Sequence, residues 1–146
     1  MQRATVLTAE YRTSLRLPDG TKTAALFQCF DDSMVDFDKP CRLVLTYEAK
    51  ELTFAASDFF AALDGVRQQL EPSGITPIIN GTNRSCYPSG MARDMGMGLS
   101  VYCLRLGVGS TMADLVKTFE DDAVSQPATV KEQQEFHRLW LESFPE

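Results

Sequence analysis

The chain has 146 residues, 44% of them apolar and 23% charged, which suits one domain able to bury a core without disulfides or metal. No window approaches the run of about 18 apolar residues that a membrane-spanning helix requires. Twenty acidic against fourteen basic residues give a net charge of -6, which opposes nucleic-acid phosphates and anionic lipid and favours a basic protein partner.

In chain order, Met1-Gln2-Arg3-Ala4-Thr5 has neither the apolar run nor the cleavage site of a secretory signal, so a cytoplasmic location is expected. From Arg3 to Phe30 short apolar runs flank Leu17-Pro18-Asp19-Gly20. Proline with its φ already set, followed by glycine at the last turn position, predicts an opening β-hairpin. Asp31 to Pro40 is polar, acidic and closed by proline, hence a surface connection; it carries Asp31, Asp32, Asp36 and Asp38. Leu43, Leu45 and Tyr47 alternate, and Leu52 and Phe54 resume the same phase after Glu48-Ala49-Lys50-Glu51, which describes a second hairpin with one face on the core.

Ser57 is the expected N-cap of a helix in which Asp58 adds a favourable first-turn charge. Phe59, Leu63, Val66 and Leu70 form its apolar stripe, and Pro72-Ser73-Gly74 ends it after Glu71. Ile75 to Ile79 reads as a short strand, with Asn80-Gly81 as a left-handed turn. Leu99 to Leu106 alternates as an inner strand ended by Gly107-Val108-Gly109, and Leu115 to Phe119 suits an edge strand better than a helical turn. Thr129 with Glu132 three residues on has capping-box spacing for a last helix whose stripe is Phe136, Leu139, Trp140 and Phe144. The expected fold is α+β: a single domain over residues 1–146, with a mainly antiparallel sheet of about five to six strands and two amphipathic helices packed on it.

Between the short strand and the inner strand lies the most site-like stretch, Cys86-Tyr87-Pro88-Ser89-Gly90-Met91-Ala92-Arg93-Asp94-Met95-Gly96-Met97-Gly98. It is too irregular for one helix or one strand and reads as a shaped loop. Its glycines with Arg93 could cradle a phosphate, but the spacing matches neither G-x-G-x-x-G nor G-x-x-x-x-G-K-[ST], and a strand follows where a helix is required. Arg93 and Asp94 pairing with neighbours or with each other is the structural alternative. His137 is the single histidine, it sits within the last amphipathic helix, and no G-x-S-x-G surrounds Ser89, so a Ser-His-Asp hydrolase has no support. Cys29, Cys41, Cys86 and Cys103 contain no C-x-x-C pair, which leaves buried thiols in place of a zinc site. The acidic runs, Glu120-Asp121-Asp122 among them, lack the order of a calcium loop. Neither a catalytic set nor a metal nor a cofactor is nominated.

The run Tyr87-Pro88-Ser89-Gly90-Met91-Ala92-Arg93-Asp94-Met95-Gly96-Met97-Gly98-Leu99, continued by Tyr102, Leu104, Leu106 and Gly107, resembles a family of small bacterial proteins with a Y/W-P-S-G-M-x-R-D-M-G-x-G-L signature. That resemblance implies no activity and no catalytic residue. In size and charge the chain also resembles the immunity proteins of bacterial toxin systems, which implies a basic toxin domain as partner. The functional expectation is therefore a non-enzymatic protein-binding module, with Tyr87, Arg93, Asp94, Asp31, Asp32, Asp36 and Asp38 as candidate contacts. The alternatives are a small-molecule or nucleotide-binding enzyme using the loop around Arg93, and a loop that only completes the fold.

Overall fold

A computed structural model describes residues 5–145. Arg3, where the first expected strand begins, and the rest of the Met1–Ala4 leader reading lie outside the described residues. The chain opens with β1 (Val6–Arg16) and β2 (Lys22–Asp31), paired so that Tyr11 faces Phe27 and Leu15 faces Thr23. The turn between them is closed by the Gly20 amide donating to the Leu17 carbonyl at 2.9 Å, with Gly20 at φ 86°. The second hairpin joins β3 (Cys41–Tyr47) to β4 (Lys50–Ala56). Its turn is tighter than Glu48 to Glu51: Glu48 and Ala49 alone form it, at φ 46° and 61°, the two left-handed residues a type I′ turn demands even without glycine.

Leu43, Leu45 and Tyr47 alternate inward as expected, but out-of-phase Val44 is also buried, and on the edge strand β4 Phe54 is 41% exposed. Leu15, Phe27, Cys29, Leu43 and Leu45 are fully buried, and α1 (Phe59–Leu70) lies over them with Phe59, Leu63, Val66 and Leu70 facing the sheet. The cap falls one residue later than the sequence suggests. Asp58 has extended backbone and its carboxylate accepts the Ala61 amide at 2.8 Å, so it is the N-cap and not a first-turn charge; Ser57 still belongs to the approach from β4 and its carbonyl accepts the Cys41 thiol. After α1 a 3-10 turn over Glu71–Ser73 and Gly74 at φ 70° stop the helix where Pro72 requires.

The expected strand at Ile75–Ile79 shrinks to β5 (Thr76–Pro77), which completes a five-stranded antiparallel sheet in the order β4-β3-β2-β1-β5. Asn80–Thr82 is a 3-10 turn, and Gly81 is not left-handed. Gly81 is needed for room instead: a Cβ there would lie 2.6 Å from the Thr118 methyl. A second antiparallel sheet contains β6 (Cys86–Tyr87), β7 (Ser100–Cys103) and β8 (Leu115–Lys117), with β7 in the middle. β7 is inner, as expected, but ends at Cys103, because the Arg105–Val108 turn with Gly107 at φ 76° takes over. Five-residue α2 (Gly90–Asp94) lies between β6 and β7, where the sequence suggests only loop.

The last helix, α3 (Val130–Glu142), carries the expected capping box: the Glu132 amide donates to the Thr129 hydroxyl at 3.1 Å, and the Thr129 amide donates to the Glu132 carboxylate at 2.9 Å. Its docked face is rotated from the expected stripe. Val130 and Gln133 are buried, while Leu139 is exposed. The reason is a polar anchor that hydrophobic periodicity cannot register: the Gln133 side-chain amide donates to the carbonyls of Gly81, Asn83 and Cys86 at 2.8, 3.0 and 2.7 Å. Its oxygen accepts the Arg67 guanidinium at 2.6 Å, and Arg67, 1% exposed, also reaches the Ala128 carbonyl at 2.7 Å. Such a knot is costly unless every member is satisfied, and here no buried side-chain polar atom among the described residues lacks a partner. The architecture is α+β as expected, but its strands are divided between two sheets and a third short helix is added. Helix α1 joins the two sheets, since Phe59 packs in the larger core and Phe60 in the smaller one with Cys86 and Val101.

Candidate functional site

The loop from Tyr87 to Gly98 is held from within and from below. Ser89 caps α2 by accepting the Ala92 amide at 3.0 Å, the Gly98 amide donates to the Ala92 carbonyl at 3.0 Å, and the Leu99 amide donates to the Gly96 carbonyl at 3.1 Å. Met97 and Gly98 are left-handed at φ 58° and 73°, which turns the Met97 carbonyl onto the Phe59 amide at 2.8 Å. A Cβ on Gly98 would lie 2.6 Å from the Phe60 nitrogen, so this glycine lets the loop seat on the start of α1. The amides of Ala92, Gly98 and Leu99 are thus already bonded inside the loop.

Arg93 does not pair with Asp94. Its Nε donates to Asp58 Oδ2 at 3.0 Å, and its guanidinium lies 5.5 Å from the Phe60 ring centroid. The same Asp58 carboxylate caps α1, so one buried acid fixes both helix and loop. Burial opposes the Arg93 charge, but the Asp58 hydrogen bond and charge outweigh it and hold the guanidinium pKa above its usual value. Asp94 is exposed and makes no ion pair among the described residues. Tyr87 lies flat on His137 with centroids 3.9 Å apart and edge-on to Phe60 at 5.2 Å. Trp140 continues the stack and donates its indole N–H to the Val108 carbonyl at 3.0 Å. Tyr87, Pro88, Tyr102, Leu104, His137 and Trp140 line a cavity of about 50 Å³, room for water and little more. Burial pushes the His137 pKa below its ordinary value.

The acidic connection is built differently. Asp31 closes β2 and its carboxylate accepts the Ser33 amide at 2.9 Å; the Asp36 carboxylate accepts the amides of Asp38 and Lys39 at 3.2 and 3.1 Å. These turns, with the Asp32 amide on the Pro40 carbonyl at 2.7 Å, shape the backbone from inside. Asp32 is engaged by Arg42, Nε to Oδ2 at 2.7 Å, and by the Thr5 hydroxyl, and Arg42 in turn lies over the Phe30 ring at 4.3 Å. Asp36 and Asp38 face solvent. Between them stands Phe37, 88% exposed, with Met34 at 80% and Val35 also exposed. Exposed Val6 and Leu7 lie across the ladder from Asp31 and Phe30, next to where this loop leaves the sheet. Neither Phe37 nor Met34 stands out in the sequence; the available signal was an aromatic bracketed by two aspartates in a segment with no period to bury it.

The candidate residues therefore fall in two groups: Asp31, Asp32, Asp36 and Asp38 in one loop, Tyr87, Arg93 and Asp94 in the other. Among the described residues no three His, Cys, Asp or Glu side chains converge as metal ligands. None of their helices is long and apolar enough to cross a membrane. Compared with protein-family models and with curated proteins, the chain matches none.

Proposed function

We propose that the protein is a non-enzymatic binding module for a basic protein partner, engaged by the loop from Asp31 to Pro40 with Phe37 as its anchor. The observation that carries this is Phe37, 88% exposed between solvent-facing Asp36 and Asp38. A large aromatic held out on an internally bonded loop loses little entropy on docking, and such residues supply most of the energy of an interface. The flanking carboxylates attract a basic surface and set its orientation, an effect that reads out in association rate. In this proposal the partner is a toxin domain and the protein its immunity factor, working in the cytoplasm. Tyr87 and Arg93 keep α1, α2 and α3 together, and exposed Asp94 is a second contact.

The test is an affinity capture from the producing cells at low and high salt, with wild-type, Phe37→Ala and Asp36→Lys/Asp38→Lys baits side by side. A basic protein held by the wild type, released by high salt and lost by both variants supports the assignment. With that protein purified, Phe37→Ala should weaken binding by roughly 30-fold, the equivalent of about 2 kcal/mol. Equal capture by all three baits would remove the loop from the interface.

A further inference from the structure

Cys86 and Cys103 are directly opposite in the β6–β7 ladder, with Sγ atoms 3.4 Å apart. The neighbouring pair is hydrogen-bonded, Leu104 amide to Ser85 carbonyl at 2.8 Å, while the Cys86 amide donates elsewhere, to the Asn83 carbonyl at 3.1 Å. Cys86 and Cys103 therefore occupy a non-hydrogen-bonded pair, where Cα atoms come within about 4.5 Å and side chains are closest. That spacing lies inside the range of about 4.4–6.8 Å a disulfide accepts. The two residues bracket the loop that carries α2 and Arg93, so a bond between them would close that loop at its neck. Cys29 and Cys41 differ: Cys29 faces Leu43, Cys41 faces Asp31, and both are buried in the larger core.

We propose that Cys86 and Cys103 are a reversible oxidation site, forming a cross-strand disulfide by exchange with a low-molecular-weight disulfide such as glutathione disulfide. Cys103 is partly exposed and Cys86 fully buried, which fixes the order of steps. The Cys103 thiolate attacks one sulfur of glutathione disulfide, whose S–S bond breaks; one glutathione leaves and takes up the proton Cys103 gave. Cys86 then attacks the Cys103 sulfur of the mixed disulfide, and the second glutathione leaves with the Cys86 proton. The protein loses two protons and two electrons, and one glutathione disulfide becomes two glutathiones. Burial pushes the Cys86 thiol up to about 12, which slows the second step, but a partner already in contact supplies the high effective concentration that offsets it.

The experiment equilibrates the whole protein across a series of glutathione disulfide to glutathione ratios, traps thiols with an alkylating agent under denaturing conditions, and maps the peptides. The expected product has Cys86 linked to Cys103, Cys29 and Cys41 alkylated, full reversal by dithiothreitol, and a melting temperature higher by roughly 5–10 °C. Cys86→Ala should accumulate a stable glutathione adduct on Cys103, and Cys103→Ser should take up no glutathione; the wild-type map decides even where a variant fails to fold. Alkylation of all four cysteines at every ratio, a lasting glutathione adduct on wild-type Cys103, or a linkage through Cys29 or Cys41 would each overturn the proposal. None of these outcomes bears on the Asp31–Pro40 loop.

Discussion

Two loops of this protein use similar chemistry to opposite ends. The 87–98 loop turns its arginine, one glycine and its aromatic inward, Arg93 onto Asp58, Gly98 against the Phe60 backbone and Tyr87 flat on His137, while Met91 and Met95 stay exposed. The 31–40 loop has only aspartates and a few apolar residues, and its hydrogen bonds close within itself and on Arg42, so Phe37 and Met34 are left outside. Arg93, Gly98 and Tyr87 answer packing demands of the fold; Phe37, between two solvent-facing carboxylates, answers none.

The sharpest test of that contrast lies at the base of the inward loop. Gln133→Leu would strip the carbonyls of Gly81, Asn83 and Cys86 of their donor and leave Arg67 short of an acceptor. Loss of several buried partners around a buried charge should lower unfolding stability by about 3–5 kcal/mol in chemical denaturation. Next, Arg93→Ala should cost about 1–3 kcal/mol, because it leaves a buried Asp58 carboxylate unpaired while Arg93 itself is only partly shielded. Asp94→Ala, one residue on, should stay within about 0.5 kcal/mol. Equal costs for the two would break the distinction between a residue that holds the loop and one that only rides on it.

A smaller effect comes from pH. With its pKa depressed by burial, His137 stays neutral in the fold at pH values where the unfolded chain is already protonated. The unfolded state then binds more protons, so this contribution is complete above about pH 6.5 and is lost as pH falls through the folded value. Asp64 acts in the opposite direction: burial, partly countered by Arg67, lifts it to about 6, so its contribution is favourable at low pH and declines as pH rises from about 4 through 6. His137→Phe keeps a flat ring against Tyr87 without the titration. A melting-temperature profile for this variant whose slope below about pH 6.5 matched that of the wild type would separate the stack from the pH response.

Elements with a local cause were legible in the sequence: the Pro18–Gly20 turn, the Phe59–Leu70 stripe and its stop at Pro72, and the Thr129–Glu132 box each rest on residues a few positions apart. What escaped depends on partners far along the chain. The face of α3 is set by Gln133 reaching carbonyls about fifty residues away, and apolar periodicity gives a glutamine no weight. The cap of α1 went to Asp58 because Arg93, thirty-five positions on, also needs that carboxylate. Gly81 read as a turn signal because glycine serves both positive φ and close approach, and only the position of Thr118 tells which. For the candidate site, the four aspartates were visible as charge, but the exposure of Phe37 was not, since an aromatic residue in isolation is read as core.

The smallest expected change in stability is the one with the most to say about function. Phe37→Ala removes a side chain that contacts almost nothing in the folded protein, so denaturant midpoints should move by less than about 0.5 kcal/mol. A larger loss would mean that Phe37 covers part of the fold, and the outward reading of the loop would fail on stability alone. Near-neutral stability together with lost capture of a basic partner would separate the two properties at a single residue. Asp36→Asn/Asp38→Asn then sharpens the result. Asparagine can keep the turn that Asp36 makes with the amides of Asp38 and Lys39 while removing its charge, so a slower association with weaker salt dependence belongs to electrostatic attraction and not to loop shape. An unchanged rate would leave Phe37 as an anchor without steering and remove the case for a basic partner.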